Sequence, residues 1–274
     1  MQTVASAMRE ASALLEGVSD TARLDAELLM AEALGVSRSE LLVRHQTAPV
    51  PPGFAPFLQR RLAAEPVAYI LGRCEFFGLE LGVTPAVLIP RGDSECVVEA
   101  ALEACPAQGR VLDLGTGSGA LLLAMLSQRP DLEGVGLDAS HSALEVARGN
   151  AARLGLSNRA VFLQRDWTDD DWAAKLGTFD CVISNPPYVE ADAKLERSVR
   201  DFEPAAALFA GADGLDAYRA LVPRLRDLLD GAARAVLEIG CEQADSVGAL
   251  ARTAGFCVIV RNDLAGRPRA LVLS

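Results

Sequence analysis

Residues Arg110–Gln128 read RVLDLGTGSGALLLAMLSQ, and the division of this stretch decides the fold. Its first part, RVLDL, is a short apolar run of buried-strand type. Its last part, ALLLAMLSQ, consists largely of helix formers. Between them Gly115, Gly117 and Gly119 occupy alternate positions. Glycine takes positive φ without steric cost and lets a ligand approach the backbone closely. Such a turn serves either a ligand or tight strand–helix packing. Asp113, two residues before the first glycine, favours the ligand and narrows its type. A carboxylate there repels a pyrophosphate and attracts a cation. The spacing is also G-x-G-x-G, not the G-x-G-x-x-G of dinucleotide-binding turns.

Downstream the alternation continues. GVGLDAS reads as a strand and SALEVARGNAARLG as a helix; AVFLQRDW and FDCVISN read as two further strands. A long loop is expected from Val189 to about Gly214. LDAYRALVPRLRDLLD follows as a helix, ARAVLEIG as a strand, CEQADSVGALARTAG as a helix, and FCVIVRND and RALVLS as closing strands. Strand–helix alternation predicts an α/β, Rossmann-like, mostly parallel sheet. Ligands of such sheets bind at the carboxyl ends of the strands.

Upstream the texture is different. TARLDAELLMAEALGV places Leu24, Leu28 and Leu34 at helical spacing behind capping candidates Asp20 and Thr21. SRSELLVR and APFLQRRLAAE add helices on either side of the break PVPPGF. Residues 1–72 therefore form a small all-helical domain. CEFFGLELGVTPAVLIPR, with Gly78, Gly82 and Pro85, predicts a β-hairpin linker over 73–91. Residues 92–274 carry the sheet and, from Gly109 onward, all of the ligand motifs.

Four elements at strand ends carry candidate chemistry. The turn itself offers Asp113, Gly115, Thr116, Gly117, Ser118 and Gly119. Asp138 closes the next strand, where an acid accepts two ribose hydroxyls; the alternative is a helix N-cap. Asp166 is placed to bind an adenine amino group and Trp167 to wall it, unless the indole is an ordinary core residue. Asn185, Pro186, Pro187 and Tyr188 end the fourth strand. A planar amide or aromatic amine nitrogen is a poor nucleophile, because its lone pair is delocalised. The Asn185 oxygen and a stiff backbone carbonyl can accept its two N–H bonds and aim the lone pair. Tyr188 is then available to pack on the planar substrate.

Composition narrows the partners. The formal net charge is −11, which opposes general binding to a phosphate backbone. No apolar run reaches membrane-spanning length, and the opening MQTVASAMREASALLEG lacks signal-peptide character. A cytoplasmic monomer without nucleic-acid or membrane partners is expected. The six cysteines form no CxxC pair and read as buried free thiols, and the two distant histidines suggest no metal site.

Together the glycine turn, the strand-end acids and NPPY resemble a class I methyltransferase using S-adenosylmethionine. NPPY resembles the subset that methylates planar NH2 groups of adenine, cytosine or glutamine. Over nearly the whole chain the sequence resembles the HemK/PrmC-type protein-(glutamine-N5) methyltransferases of peptide chain release factors. The resemblance is carried by DAELLMAEALG, by YILGRCEFFGLELGVTPAVLIPR, by NPPYVEADAKLERSVRDFEPAAALFAGADGLDAYR, and by LEIGCEQ and DLAGRPR. PRGDSE departs from that family's usual PRPDTE at Gly92 and Ser94; serine keeps the hydroxyl, and glycine loosens the turn. The resemblance implies a closing antiparallel strand, a substrate-binding role for the helical domain, and release factors as protein substrates. It also implies S-adenosylmethionine across Asp113, Gly115 to Gly119, Asp138, Trp167 and Asn185. A ribosomal-protein glutamine or a nucleic-acid adenine remains the alternative acceptor.

Overall fold

The structure, a computed structural model, describes residues 2–274. Its helices are α1 (Val4–Leu15), α2 (Ala22–Leu34), α3 (Arg38–Arg44), α4 (Phe54–Leu62), α5 (Val67–Leu71), α6 (Glu95–Ala104), α7 (Ala120–Gln128), α8 (His141–Arg153), α9 (Arg197–Arg200), α10 (Asp216–Leu221), α11 (Leu225–Leu228) and α12 (Ala244–Thr253). Its strands are β1 (Arg73–Phe76), β2 (Leu79–Gly82), β3 (Gly109–Leu114), β4 (Leu132–Asp138), β5 (Ala160–Gln164), β6 (Phe179–Ser184), β7 (Leu229–Glu238), β8 (Val258–Asn262) and β9 (Pro268–Leu273). They form two compact units: Met1–Arg73 with Leu195–Phe202, and Cys74–Lys194 with Glu203–Ser274. Among the described residues no helix is long and apolar enough to cross a membrane.

The first unit is helical because its ends are capped and its apolar faces meet. Thr3 and Ser6 form a capping box on α1, the Ser37 hydroxyl accepts the Glu40 N–H at the start of α3, and Gly35 closes α2 in the left-handed conformation. Val4, Ala11 and Leu15 pack on Ala26, Leu29 and Met30. The leucine stripe expected of α2 is not its buried face: Leu24 is exposed, and Ala22, Ala26, Leu29 and Met30 turn inward. Small alanines let α2 sink so far that two acids are buried with it. Asp25 accepts from Arg61 Nε at 2.7 Å, and Glu27 pairs with Arg23 at 2.8 Å and Arg38 at 2.7 Å. Thr21 is the N-cap residue of α2, but its hydroxyl donates to Asp25 and caps no backbone amide.

In the second unit β1 and β2 form a hairpin whose turn residues, Phe77 and Gly78, both have positive φ, as a type I′ turn requires. The main sheet has seven strands in the order β5-β4-β3-β6-β7-β9-β8. All its pairings are parallel except those of β9, which runs antiparallel to both neighbours. Successive strand residues face opposite sides. Val111, Cys181, Ile183 and Val236 join the core under α6, α7 and α8, while Leu112, Val182, Ala235 and Leu237 join that under α10, α11 and α12. The helix expected over 215–230 is interrupted. Pro223 lacks an N–H, a 3-10 turn takes up Val222–Arg224, and the chain is already strand from Leu229. Burial of the cysteines holds for Cys105 and Cys181 but not for Cys241 and Cys257, which are exposed beyond a strand end and before an edge strand.

The strand order positions the site. After β3 the chain lays β4 and β5 on one side and then returns to place β6 on the other. The order of strand addition therefore reverses between β3 and β6, and the crevice opens at their carboxyl ends. Leu114 is in register with Ser184, so the glycine turn and NPPY leave the sheet side by side.

Candidate active site

A cavity of about 440 Å³ lies at these strand ends. Asp113, Gly115, Thr116, Gly117, Ser118, Asp138, Asp166, Trp167, Asn185 and Pro187 line it. Gly119, Pro186 and Tyr188 do not.

Asp113 is buried near the end of β3. Its Oδ2 accepts the Thr116 hydroxyl at 2.6 Å, while Oδ1 has no hydrogen-bond partner of regular geometry among the described residues. Burial pushes this carboxyl up to about 7; the Thr116 hydroxyl opposes the shift, the Asp138 charge adds to it, and the Leu122 amide opposes it least. Asp113 lines the cavity with its carboxyl almost wholly covered, and the field of a buried carboxylate there favours a cationic ligand group.

Gly115, Gly117 and Gly119 all have positive φ. A Cβ on Gly115 would stand 3.1 Å from the Trp167 ring, so this glycine lets the indole lie against the turn. A Cβ on Gly117 would meet no atom within 4 Å among the described residues. The Gly117 N–H donates to Asp138 Oδ2 at 2.9 Å, and the Ser140 N–H donates to Asp138 Oδ1 at 2.9 Å. Ser140, not Asp138, caps α8 by accepting from Ala143 N–H. Asp138 is thus locked to the glycine turn with one further lone pair on each oxygen, and burial raises its pKa.

Asp166 spends Oδ1 on the Thr168 amide and hydroxyl, bonds that hold its carboxyl below the usual range. Trp167 answers both expectations at once: it lines the cavity and also packs on the second core. Asn185 donates from Nδ2 to Ser94 Oγ at 3.3 Å, which leaves Oδ1 as the acceptor. Tyr188 packs against the second core. Its hydroxyl, with its proton held by burial up to about 12, donates to Glu238 Oε1 at 3.4 Å. The Tyr188 carbonyl accepts from Gln243 at 3.1 Å, and a Cβ on Gly214 would stand 2.3 Å from it, so only glycine fits there.

Sequence reasoning missed one wall. Phe76, Val87, Leu88 and Pro90 of the hairpin and its tail, with Pro204 and Ala206, complete the cavity. Buried Glu203 ties these segments together by accepting the Ile89 N–H at 3.2 Å and pairing with the Arg91 guanidinium. The EP dipeptide was visible in the sequence, but nothing local indicates which segment it grips.

The sheet order, the glycine turn and the strand-end acids define a class I methyltransferase. The fold is shared with a methyltransferase from Pyrococcus furiosus (TM-score 0.54, 16% identity, 72% of this chain and 89% of that one). It is also shared with the hMettl16 catalytic domain (TM-score 0.54, 15% identity, 72% and 76%). Residues 107–212 match the family model of a methyltransferase domain, and residues 6–72 that of the PrmC N-terminal domain. The release factor glutamine methyltransferase of Bradyrhizobium diazoefficiens is 42% identical, covering 98% of this chain and 94% of its own length. That of Moorella thermoacetica is 41% identical over 94% and 93%. The chain belongs to the release factor glutamine methyltransferase family.

Proposed function

We propose that the protein transfers a methyl group from S-adenosylmethionine to the side-chain amide nitrogen, N5, of the glutamine in the GGQ loop of peptide chain release factors. The observation that carries this reading is the placement of Asn185 and Pro187 on the same cavity as Asp113, whose buried Oδ1 is unpaired. Near-full-length relatives bearing the release factor name support the choice of acceptor.

The residues fit the cofactor. S-adenosylmethionine, when bound, supplies a methyl group made electrophilic by a sulfonium charge. Asp113 meets the cationic portion, Asp138 the ribose hydroxyls and Asp166 the adenine amino group, with Trp167 and the turn Gly115 to Gly119 as walls. Asn185 Oδ1 and a carbonyl of the Pro186–Pro187 segment accept the substrate amide's N–H bonds. That holds the nitrogen in a water-poor site with its lone pair directed. Methyl transfer leaves the amide nitrogen cationic and its N–H strongly acidic, so one proton leaves to water and the neutral N-methyl amide remains. Tyr188 acts by anchoring the loop that carries these acceptors. The helical unit over residues 1–72 docks the protein substrate.

Mass spectrometry of a release factor incubated with the protein and S-adenosylmethionine tests the reading. One added methyl on the GGQ glutamine is expected. Methylation confined to a ribosomal protein or to adenine in nucleic acid would replace it.

Asp113 supplies a pH prediction. Calorimetric affinity for S-adenosylmethionine weakens as pH falls through about 7, where the wall carboxylate takes up a proton. Asp113→Asn loses both the affinity and its pH dependence. The stability effect has the opposite sense. A carboxyl whose folded pKa is raised above its unfolded value costs nothing below the unfolded value, and its cost grows as pH rises to the folded one. Asp113→Asn therefore melts higher than the parent at pH 8 and no higher at pH 4. A variant that melts lower at pH 8 contradicts the buried-charge assignment.

A further inference from the structure

An asparagine amide can clamp a substrate only if its oxygen, not its NH2, faces the substrate. The two ends are nearly isosteric, so a neighbour must decide between them. The neighbour of Asn185 is Ser94, 3% exposed, whose Oγ accepts from Nδ2. A hydroxyl is both donor and acceptor and cannot by itself set this direction. Ser94 is the N-cap residue of α6, which packs on β7, and Glu238 at the end of that strand is 1% exposed, with Oε2 unpartnered among the described residues. Tyr188 O–H donates to the other oxygen, and Tyr218 O–H to the Glu238 carbonyl at 2.8 Å.

We infer that Glu238 is a positioning residue acting through Ser94: as an acceptor-only carboxylate it commits the Ser94 proton to itself, leaving Ser94 Oγ to accept Asn185 Nδ2 and turning Asn185 Oδ1 to the substrate. The inference rests on Asn185 being the acceptor for the substrate amide. Ser94 and Glu238 do not meet in regular hydrogen-bond geometry in this structure. The Ser94 hydroxyl, Arg269 and Tyr188 all favour the Glu238 anion against its burial. The unpaired Oε2 remains open to the Ser94 hydroxyl.

The device has a pH sense. Burial raises the Glu238 carboxyl to about 7. The ionisable groups around it are Asp93 before α6, Cys96 in α6, Tyr188 after β6, Tyr218 in α10, Asp263 after β8 and Arg269 in β9. Arg269 is shared, because it also contacts Asp93 at 3.0 Å and Asp263 at 3.6 Å. Once protonated, Glu238 can donate to Ser94. The chain of hydrogen bonds then reverses, and Asn185 presents NH2 where an acceptor is required.

The test is steady-state methylation of release factor at saturating S-adenosylmethionine, from about pH 6 to about pH 9, for the parent, Glu238→Gln, Ser94→Ala and Ser94→Thr. Saturation keeps Asp113 ionised, so its titration does not enter kcat. Parent kcat should fall as pH drops through about 7. Glu238→Gln and Ser94→Ala should lose roughly 10-fold or more in kcat, the scale of a small misplacement of a reacting group, with KM little changed. Both should lack the low-pH limb. Ser94→Thr keeps the hydroxyl and should keep both rate and limb. Titration with the cofactor verifies that each variant is folded. If Glu238→Gln does not fold, the Ser94→Ala and Ser94→Thr pair decides alone. Parent-like turnover in Ser94→Ala, or an intact low-pH limb in either disrupted variant, overturns the relay and leaves the methylation reading standing. A parent protein that leaves release factor unmethylated removes both.

Discussion

Asn185→Ala lowers kcat for release factor methylation by ~10²–10³, the cost of removing one preorganised hydrogen bond from a reacting centre. Substrate KM changes far less. The reason lies in when the bond matters. In the ground state the substrate amide N–H groups are weak donors, and water or a neighbouring carbonyl substitutes for the lost oxygen. As the nitrogen forms its bond to methyl it becomes cationic and its N–H bonds acidic. The Asn185 oxygen therefore contributes most in the transition state, and its loss appears in turnover. A modest weakening of cofactor binding is also expected, because Asn185 lines the same cavity as Asp113 and Gly117. The matching change on the substrate replaces the acceptor glutamine by asparagine. That amide is one methylene shorter, and its nitrogen falls short of the clamp by more than ~1 Å, a displacement that can cost ~10²-fold. Near-normal turnover by Asn185→Ala, or efficient methylation of the asparagine substrate, would sink the amide clamp and return nucleic-acid adenine to consideration.

Gly117→Val abolishes measurable binding of S-adenosylmethionine while leaving the protein folded. The glycine has φ of +54° and its N–H is given to Asp138. A β-branched residue resists that conformation, at a cost of about 1–2 kcal/mol, and relaxing the strain pulls the N–H away from Asp138. The new Cβ itself is unobstructed, since it meets no described atom within 4 Å. That open space belongs to a residue lining the cavity, so the side chain competes with the ligand and not with the core. A cooperative melt close to that of the parent, together with a flat calorimetric titration, is the expected pair of results. Undiminished binding by a folded variant would mean that the cofactor lies elsewhere.

What was legible in the sequence was local. The three glycines of the turn, all with positive φ, and the strands on either side of the helices follow from steric limits and side-chain periodicity within a few residues. The acids at the ends of β3 and β4 were equally visible, because a charged residue closing an apolar run has few structural reasons to be there. The misreadings share one cause. The leucines of α2 mark a regular stripe, yet its neighbours bury Asp25 and Glu27 instead, each satisfied by an arginine from elsewhere in the chain. The hairpin tail was read as a connector, yet Val87, Leu88 and Pro90 wall the cavity, because Glu203 reaches back 114 residues to hold Ile89. The partner of the Tyr188 hydroxyl is equally out of local reach: it is Glu238, 50 residues on.

By itself the sequence determined the kinds of groups available: a turn only glycine can make, acids at strand ends, an amide followed by two rings that cannot donate. Backbone sterics and side-chain chemistry are properties of each residue and need no partner to be read. The tertiary structure decided which of these groups share a site. The crossover that sets β6 against β3 brings Ser184 Oγ to within 2.6 Å of the Leu114 carbonyl, 70 residues earlier, and so delivers Asn185 to the cavity built by Asp113 and its glycines. It likewise put Ser94 beside Asn185, and set Glu238 at the end of the strand on which α6 packs. Strand order is settled by which apolar faces bury best over the whole sheet, a sum over long-range contacts that no local pattern in the chain records.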